Sequence, residues 1–350
     1  MTERVGASTL PGVRALFQQR VSGDDALLRL AARRFREAGM PAELYADSPD
    51  QLEHLLTFVP EHDTLPTVHL SRSANLLQQS GRELIESFTT RFAGRVSGLV
   101  VHDKAGMADR LAQLVAVMRT IGTPTSPRAG RPMVYLEYAT GLPIEEFVYV
   151  AEQLADVELA SMCIDIGHVG IQHARGLPLT SSSEVAWSNL SLTDNRLSEV
   201  VDQVQAAARS AVPAVLELID RITVIGKRVH YHLHDGHPLV RGLADHFSFF
   251  TRFPVPFEVA GAYALPPLFG PVGLAAVLHH AVRSSPVASP SLTLEIHQVE
   301  GRLPLDAAAE LFVHWRDLTN AERMNYWLSV LAENHLLATT LLERGLSEPG

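Results

Sequence analysis

The chain predicts a (β/α)8 barrel, and three observations carry that expectation. Short β-branched runs alternate with longer amphipathic ones along the 350 residues, the pattern of βα units that build a parallel sheet. The strand candidates number eight, the count a closed barrel needs. Prolines mark several helix starts, where a missing N–H does no harm.

The strands are placed at Val5–Ser8, Ala42–Tyr45, Thr67–Leu70, Gly98–His102, Met133–Glu137, Met162–Asp165, Arg228–His232 and Leu292–Glu295. Between them, Ser48-Pro49 precedes DQLEHLLTF, Pro143 precedes IEEFVYVAEQL and Pro304 precedes LDAAAELFVHW, each an apolar-periodic run. Two connections are longer than a barrel needs: residues 170–196 after strand six and 236–267 after strand seven. Both leave the C-terminal strand ends, the face on which barrels build their sites, so pocket walls or lids are expected there. Residues 1–320 are expected to form the barrel. Residues 321–350, containing AERMNYWLSVLAENHLLATTLLERG, read as an extra C-terminal helix that packs on the outside or against a second copy.

Composition narrows the setting. A hydrophobic content of 46% suits a globular protein with a large core. A formal net charge of −10 argues against a protein that lives on phosphate backbones. The single cysteine, Cys163, excludes an intramolecular disulfide framework, and its place in an apolar strand reads as inert core. The N-terminal MTERVGASTLPG lacks an apolar signal-peptide region, and no long apolar run suggests a membrane span. A cytoplasmic protein acting on a small molecule is expected, without membrane or nucleic-acid partners, with self-association left open.

Polar residues within the apolar strands point to the chemistry. Strand five ends on Glu137, strand six carries Asp165 and His168, strand seven reads VHYHLHD, and strand eight carries Glu295. Singly, each has a bland explanation as a solvated end or a hydrogen-bonded core histidine. In a closed barrel, however, consecutive strand ends are neighbours, and three carboxylates crowded at one mouth repel unless a cation neutralises them.

The order Glu on strand five, Asp-x-x-His on strand six, His-x-His-x-x-Asp on strand seven and Glu on strand eight resembles the xylose isomerase-like TIM-barrel superfamily. That superfamily holds sugar isomerases, ketose 3-epimerases and apurinic-site endonucleases, and the resemblance spans about residues 40–300. It implies metal ligation by Glu137, Asp165, His232 and Glu295. It implies proton transfer by Glu137 and Glu295 on opposite substrate faces, and substrate contact by His168. His230 and Asp235 fall in flanking positions of the strand-seven motif. Three oxygens and one imidazole form a hard-leaning site, with Mn²⁺ expected first and Mg²⁺, Co²⁺ or Zn²⁺ as alternatives. The implied reaction is isomerisation or epimerisation of a sugar or polyol through an enediolate.

His69 and His102, ending strands three and four, keep a second reading open. In the endonuclease relatives, strand-end histidines join a multi-zinc cluster that also uses an Asp-x-His pair, which Asp235-Gly-His237 imitates. A multi-metal phosphoesterase is therefore the enzyme alternative, with His69, His102, His230, Asp235 and His237 as additional metal or substrate contacts. A non-catalytic metal- or sugar-binding barrel is the third reading. The loop after strand seven adds Asp245, His246 and the aromatics Phe247, Phe249, Phe250 and Phe253 as a candidate apolar lid, and Gly270 and Gly273 as a weak phosphate-turn signal.

Overall fold

The computed structural model describes residues 11–18, 23–123, 130–179, 185–187, 190, 194–239, 250–251, 258–259, 263–264, 267–285, 289–297 and 319–347. In chain order the elements are β1 (Val13–Leu16), α1 (Asp25–Ala38), β2 (Ala42–Ala46), α2 (Pro49–Leu56), β3 (Thr67–Leu70), α3 (Gln79–Arg91), β4 (Gly98–His102), α4 (Leu111–Gly122), β5 (Met133–Glu137), α5 (Ile144–Gln153) and β6 (Ala160–Asp165). Three helices follow, α6 (Ile166–Gly176), α7 (Leu197–Arg209) and α8 (Ala211–Thr223), before β7 (His230–Leu233). A short hairpin, β8 (Glu258–Val259) and β9 (Tyr263–Ala264), precedes α9 (Gly270–Arg283), β10 (Ser291–Leu294) and α10 (Asn320–Ser347).

Eight strands close a parallel barrel in the order β1-β2-β3-β4-β5-β6-β7-β10, with β10 returning to β1. The (β/α)8 barrel expected from the alternation is thus the architecture observed. Local chemistry sets the helix starts as the sequence suggested. Ser48 accepts the N–H of Gln51 at 3.2 Å with Pro49 in the first turn, and Asp24 accepts from Ala26 and Leu27 at the head of α1. Pro143 occupies the N-cap position of α5.

Two expectations need correction. The first barrel strand is Val13–Leu16, while Val5–Ser8 lies outside the described residues. An arginine interrupts the apolar run VRAL, yet Arg14 is buried with its guanidinium satisfied. It donates to the Leu65 carbonyl at 3.1 and 2.9 Å, to Ser97 Oγ at 3.1 Å and to Ser291 Oγ at 2.9 Å. The second correction concerns the long connection after strand six, whose start is helical: α6 begins directly after β6, and Asp165 Oδ1 accepts the His168 N–H at 2.8 Å as its N-cap. Its inward face of Ile166, Val169, Ile171 and Ala174 was obscured by the glycines and histidines between them.

The apolar core lies mainly between the outer strand faces and the helices, as with Phe17 against Phe35 and Leu44, Val68 and Leu99 beneath the helical ring. Inside the barrel lies a small apolar cluster, Val100, Tyr135 and Cys163 with Met133 beside it, and Leu16 stands in register with Glu43. Much of the described interior is polar: Arg14, Glu43, Thr67, His230, His232 and Thr293 are all buried. Barrels are ordinarily filled by layers of branched aliphatic side chains, so this interior departs from the usual filling.

The C-terminal helix α10 packs against α1 and α9 and over β1 and β10, the place between the first and last described outer helices. Met324, Trp327, Leu328, Leu331 and Leu342 are buried there, and Trp327 Nε1 donates to the Ile296 carbonyl at 2.7 Å. The run led by Pro304 lies outside the described residues. Among the described residues, no helix is long and apolar enough to cross a membrane. Because Leu331 is fully buried in this seam, Leu331→Ala is expected to destabilise the fold by about 2–5 kcal/mol. Urea unfolding checks this, and a loss below about 1 kcal/mol would show that α10 is dispensable.

Candidate metal centre

Side chains alternate across a strand, so every second residue of each barrel strand points inward. The parallel registers then stack the inward residues in layers. His102 pairs with Glu137, Glu137 with Cys163, Asp165 with His232, and Thr293 with His232. The C-terminal layer gathers His69, His102, Glu137, Asp165, His232 and Glu295, all buried.

Within that layer His232 is the hub. Its Nδ1 lies 3.0 Å from Glu137 Oε1 and 3.0 Å from Glu295 Oε2, while its Nε2 lies 3.0 Å from Glu43 Oε1. His69 Nε2 completes the upper cluster, 3.2 Å from Glu137 Oε2 and 3.6 Å from Glu295 Oε1. One donor atom from each of His69, Glu137, His232 and Glu295 falls within 4.8 Å of the others. The His102 ring meets His69 edge-on at 4.6 Å, and its Nε2 is 3.5 Å from Glu137 Oε2.

The electrostatics follow from burial and proximity. Burial pushes the Glu137 carboxyl up, but the imidazoles of His102, His232 and His69 outweigh it and hold the group well below the usual carboxylate range. Glu43 is likewise held well below that range by His232 and His230 against its burial. Burial opposes charge on His232, yet Cys163, Glu295, Glu43 and Glu137 around it raise it well above an ordinary histidine. His69 is raised as well, by Glu137 and Glu295 against burial. For His102 burial outweighs the pull of Glu137 and Glu295 and pushes it down to about 3. Carboxylates and imidazoles thus shift one another in opposite directions across a buried centre.

A second cluster stands beside it. Asp165 Oδ1 is 2.9 Å from His234 Nε2, and Asp165 Oδ2 is 3.5 Å from His168 Nε2. These three also lie close enough to share an ion. Of the four ligands expected from the sequence, the structure thus brings Glu137, His232 and Glu295 together with His69, and sets Asp165 with His168 and His234. Asp165 raises His234 to about 9 against its burial. Gly167 makes the approach feasible, since a Cβ there would sit 1.9 Å from His234 Cε1.

The remaining candidates have local partners. Asp235 accepts the backbone N–H groups of Gly236 at 2.8 Å, Phe269 at 3.1 Å and Gly270 at 2.7 Å. The chain's own carboxylate thereby occupies the glycine turn considered for phosphate. His237 is buried, accepts the Leu239 N–H at 3.2 Å, and is pushed down by burial to about 3. His230 contacts Ser291 Oγ at 2.8 Å and Glu43 Oε2 at 3.1 Å, stacked on Tyr135. Burial pushes the Cys163 thiol up, in keeping with an inert core cysteine. Of the proposed lid, Phe250 is buried against Phe269, whereas Asp245, His246, Phe247, Phe249 and Phe253 lie outside the described residues.

Four residues of this region were missed. Glu43 is a lone carboxylate inside AELYA, and its position away from the strand end hid it. Tyr45, two residues on, stacks on His69 at 5.2 Å. His234 was visible in VHYHLHD but given no role, and His297, in LEIH, places Nε2 3.1 Å from Glu295 Oε1.

No protein-family model matches the chain, and no curated protein matches it. Among solved structures, the carboxyl transferase domain of Rhizobium etli pyruvate carboxylase with 3-bromopyruvate aligns at 11% identity over 95% of this chain and 48% of that one, with a TM-score of 0.36. The chain spans about half the length of that match. A thermostable mutant of a Cellvibrio japonicus xylanase aligns at 11% identity over 82% and 86% of the two chains, with a TM-score of 0.39. Likenesses this weak assign neither a family nor an activity, and the barrel stands on its own strand order.

Gly167→Ala is expected to destabilise the protein by about 1–3 kcal/mol, as overpacking does, because the new methyl meets the His234 ring backed by Asp165. Chemical denaturation of the variant measures it, and a neutral effect would mean that His234 does not pack on α6 as described.

Proposed function

We propose that the barrel mouth holds a divalent cation through His69, Glu137, His232 and Glu295, and that the protein isomerises or epimerises a small sugar- or polyol-like hydroxy-carbonyl compound. One observation carries the reading. Glu137 and Glu295 come from β5 and β10, which β6 and β7 separate in the barrel, yet each reaches the same imidazole nitrogen at 3.0 Å. Two carboxylates brought together out of water repel unless positive charge lies between them.

The residues fit a cation. His69 Nε2 and Glu137 Oε2 are buried and make no hydrogen bond, although each faces the centre of the cluster. Two imidazoles and two carboxylates form a less oxygen-rich set than the one implied with Asp165 in the place of His69. That set suits Mn²⁺, Co²⁺ or Zn²⁺ and weighs against Mg²⁺, which prefers oxygen. Bound there, the cation would supply Lewis-acid polarisation of a substrate carbonyl.

The chain supplies the proton transfers. A carboxylate on one side of the substrate takes the proton from the carbon beside the carbonyl, and one on the other side returns a proton to the opposite face. In this reading Glu137 and Glu295 take those two roles. Tyr45 and His102 flank the site through His69 and form its wall. His168 stands on the neighbouring cluster beside Asp165, and in this reading it contacts a substrate hydroxyl.

A multi-metal phosphoesterase is the second reading, favoured by His69 and His102 both facing Glu137 Oε2, at 3.2 and 3.5 Å, and by the adjoining Asp165, His168 and His234 group. The net charge of −10 weighs against a nucleic-acid substrate.

One set of measurements separates the two. Elemental analysis and Mn²⁺ titration are expected to show a single tight site that His69→Ala and His232→Ala both weaken. Candidate ketoses incubated with Mn²⁺ in D₂O are expected to take up deuterium beside the carbonyl, with Glu137→Gln and Glu295→Gln each slowing exchange about 10² to 10⁴-fold. Two or three bound zincs, phosphoester cleavage and no exchange would install the second reading in its place.

A further inference from the structure

Beneath the centre, on β2, Glu43 makes contacts that nothing in the proposed chemistry uses. Its carboxylate is fully buried and reaches four side chains on three other strands. Oε2 accepts Thr67 Oγ1 at 2.6 Å and Thr293 Oγ1 at 3.1 Å, and lies 3.1 Å from His230 Nε2. Oε1 is turned to the remaining partner, 3.0 Å from His232 Nε2. His230 is fixed in turn by Ser291, whose Oγ also accepts from Arg14.

We propose that Glu43 is a positioning residue for the centre: it keeps a proton on Nε2 of His232 and so turns Nδ1, as the ligating atom, toward Glu137 and Glu295. Both ring nitrogens face carboxylate oxygens at 3.0 Å; with Nδ1 given to the cation, the one hydrogen of the neutral ring lies on Nε2, the nitrogen that faces Glu43. The opposite nitrogen faces the two upper glutamates. A histidine that ligates a metal through one nitrogen is ordinarily held through the other by a carboxylate or carbonyl, which fixes ring orientation and tautomer. The two threonine hydroxyls and His230 hold Oε2, which leaves Oε1 directed at His232. The arrangement orients His232 before any ligand arrives. The inference rests on the cation reading of the upper cluster but not on either reaction proposed for it.

The test uses the full chain. Mn²⁺ dissociation constants are measured for wild type, Glu43→Gln and Glu43→Asp, and the Nε2-bound proton of His232 is followed by ¹H–¹⁵N NMR in metal-free and Zn²⁺-loaded protein. Glu43→Gln is expected to weaken Mn²⁺ about 10- to 100-fold and to shift the His232 Nε2–H signal upfield. Glu43→Asp, which keeps the charge, is expected to recover part of the affinity. A merely structural Glu43 would lower the melting temperature yet leave the dissociation constant and the Nε2–H signal where they are, and that result overturns the proposal. Should Glu43→Gln fail to fold, the Thr67→Val and Thr293→Val double variant releases Oε2 while sparing the carboxylate. An unchanged affinity and an unchanged Nε2–H signal in that variant would count equally against it. If wild type binds no Mn²⁺ or Zn²⁺, the cation reading fails, while the metal-free NMR comparison still decides whether Glu43 sets the His232 proton.

Discussion

Three glutamates from separate strands close on one histidine in a space closed to water, and much of the barrel interior is arranged around that contact. Glu43, Glu137 and Glu295 all stand 3.0 Å from a nitrogen of His232. An unpaired buried carboxylate costs several kcal/mol, so each of these groups depends on the others being compensated. His69 contributes a second imidazole between the upper two glutamates. The polar side chains beneath continue the same logic, with Thr67, Thr293, His230, Ser291 and Arg14 passing hydrogen bonds from the centre to the far end of the barrel.

Such an interior is tolerable because the fold does not depend on it for hydrophobic burial. The main apolar core runs between the outer strand faces and the helices, and α10 extends it over β1 and β10. Burial of apolar area is the dominant stabilising contribution in a chain of this size. The outer layer thus supplies stability, and the inner layer is left to carry charge and chemistry. Asp103 shows the same division at the mouth. Its buried carboxylate accepts the N–H groups of Ala139, Gly141 and Leu142, and holds the turn in which Thr140 adopts φ 65° just after Glu137.

Much of this was legible in the sequence, for identifiable reasons. Strands such as GLVVH and MVYLE carry β-branched and aromatic residues in short runs, and the observed β4 and β5 match them residue for residue. Glu137, His232 and Glu295 stood out because a charged or imidazole side chain ending an apolar strand needs a reason. What stayed hidden depended on tertiary partners. Arg14 disguised β1, since no local feature announces that the Leu65 carbonyl and two serines will satisfy a buried guanidinium. Glu43 disguised itself in the same way, as its partners lie 24, 187, 189 and 250 positions away. The pairing of Asp165 with His234 in place of the upper cluster turns on Gly167, whose missing side chain lets that ring approach α6. Sequence spacing alone does not reveal that approach.

The central claim is that a cation sits between His69, Glu137, His232 and Glu295. Anomalous diffraction from crystals grown with Mn²⁺, collected on both sides of the manganese absorption edge, tests it most directly. The account predicts a single strong anomalous peak within bonding distance of one nitrogen from each of those two histidines and one oxygen from each of the two glutamates. A peak held instead by Asp165, His168 and His234 alone, or no peak while Glu137 and Glu295 keep their contacts to a protonated His232, would contradict it.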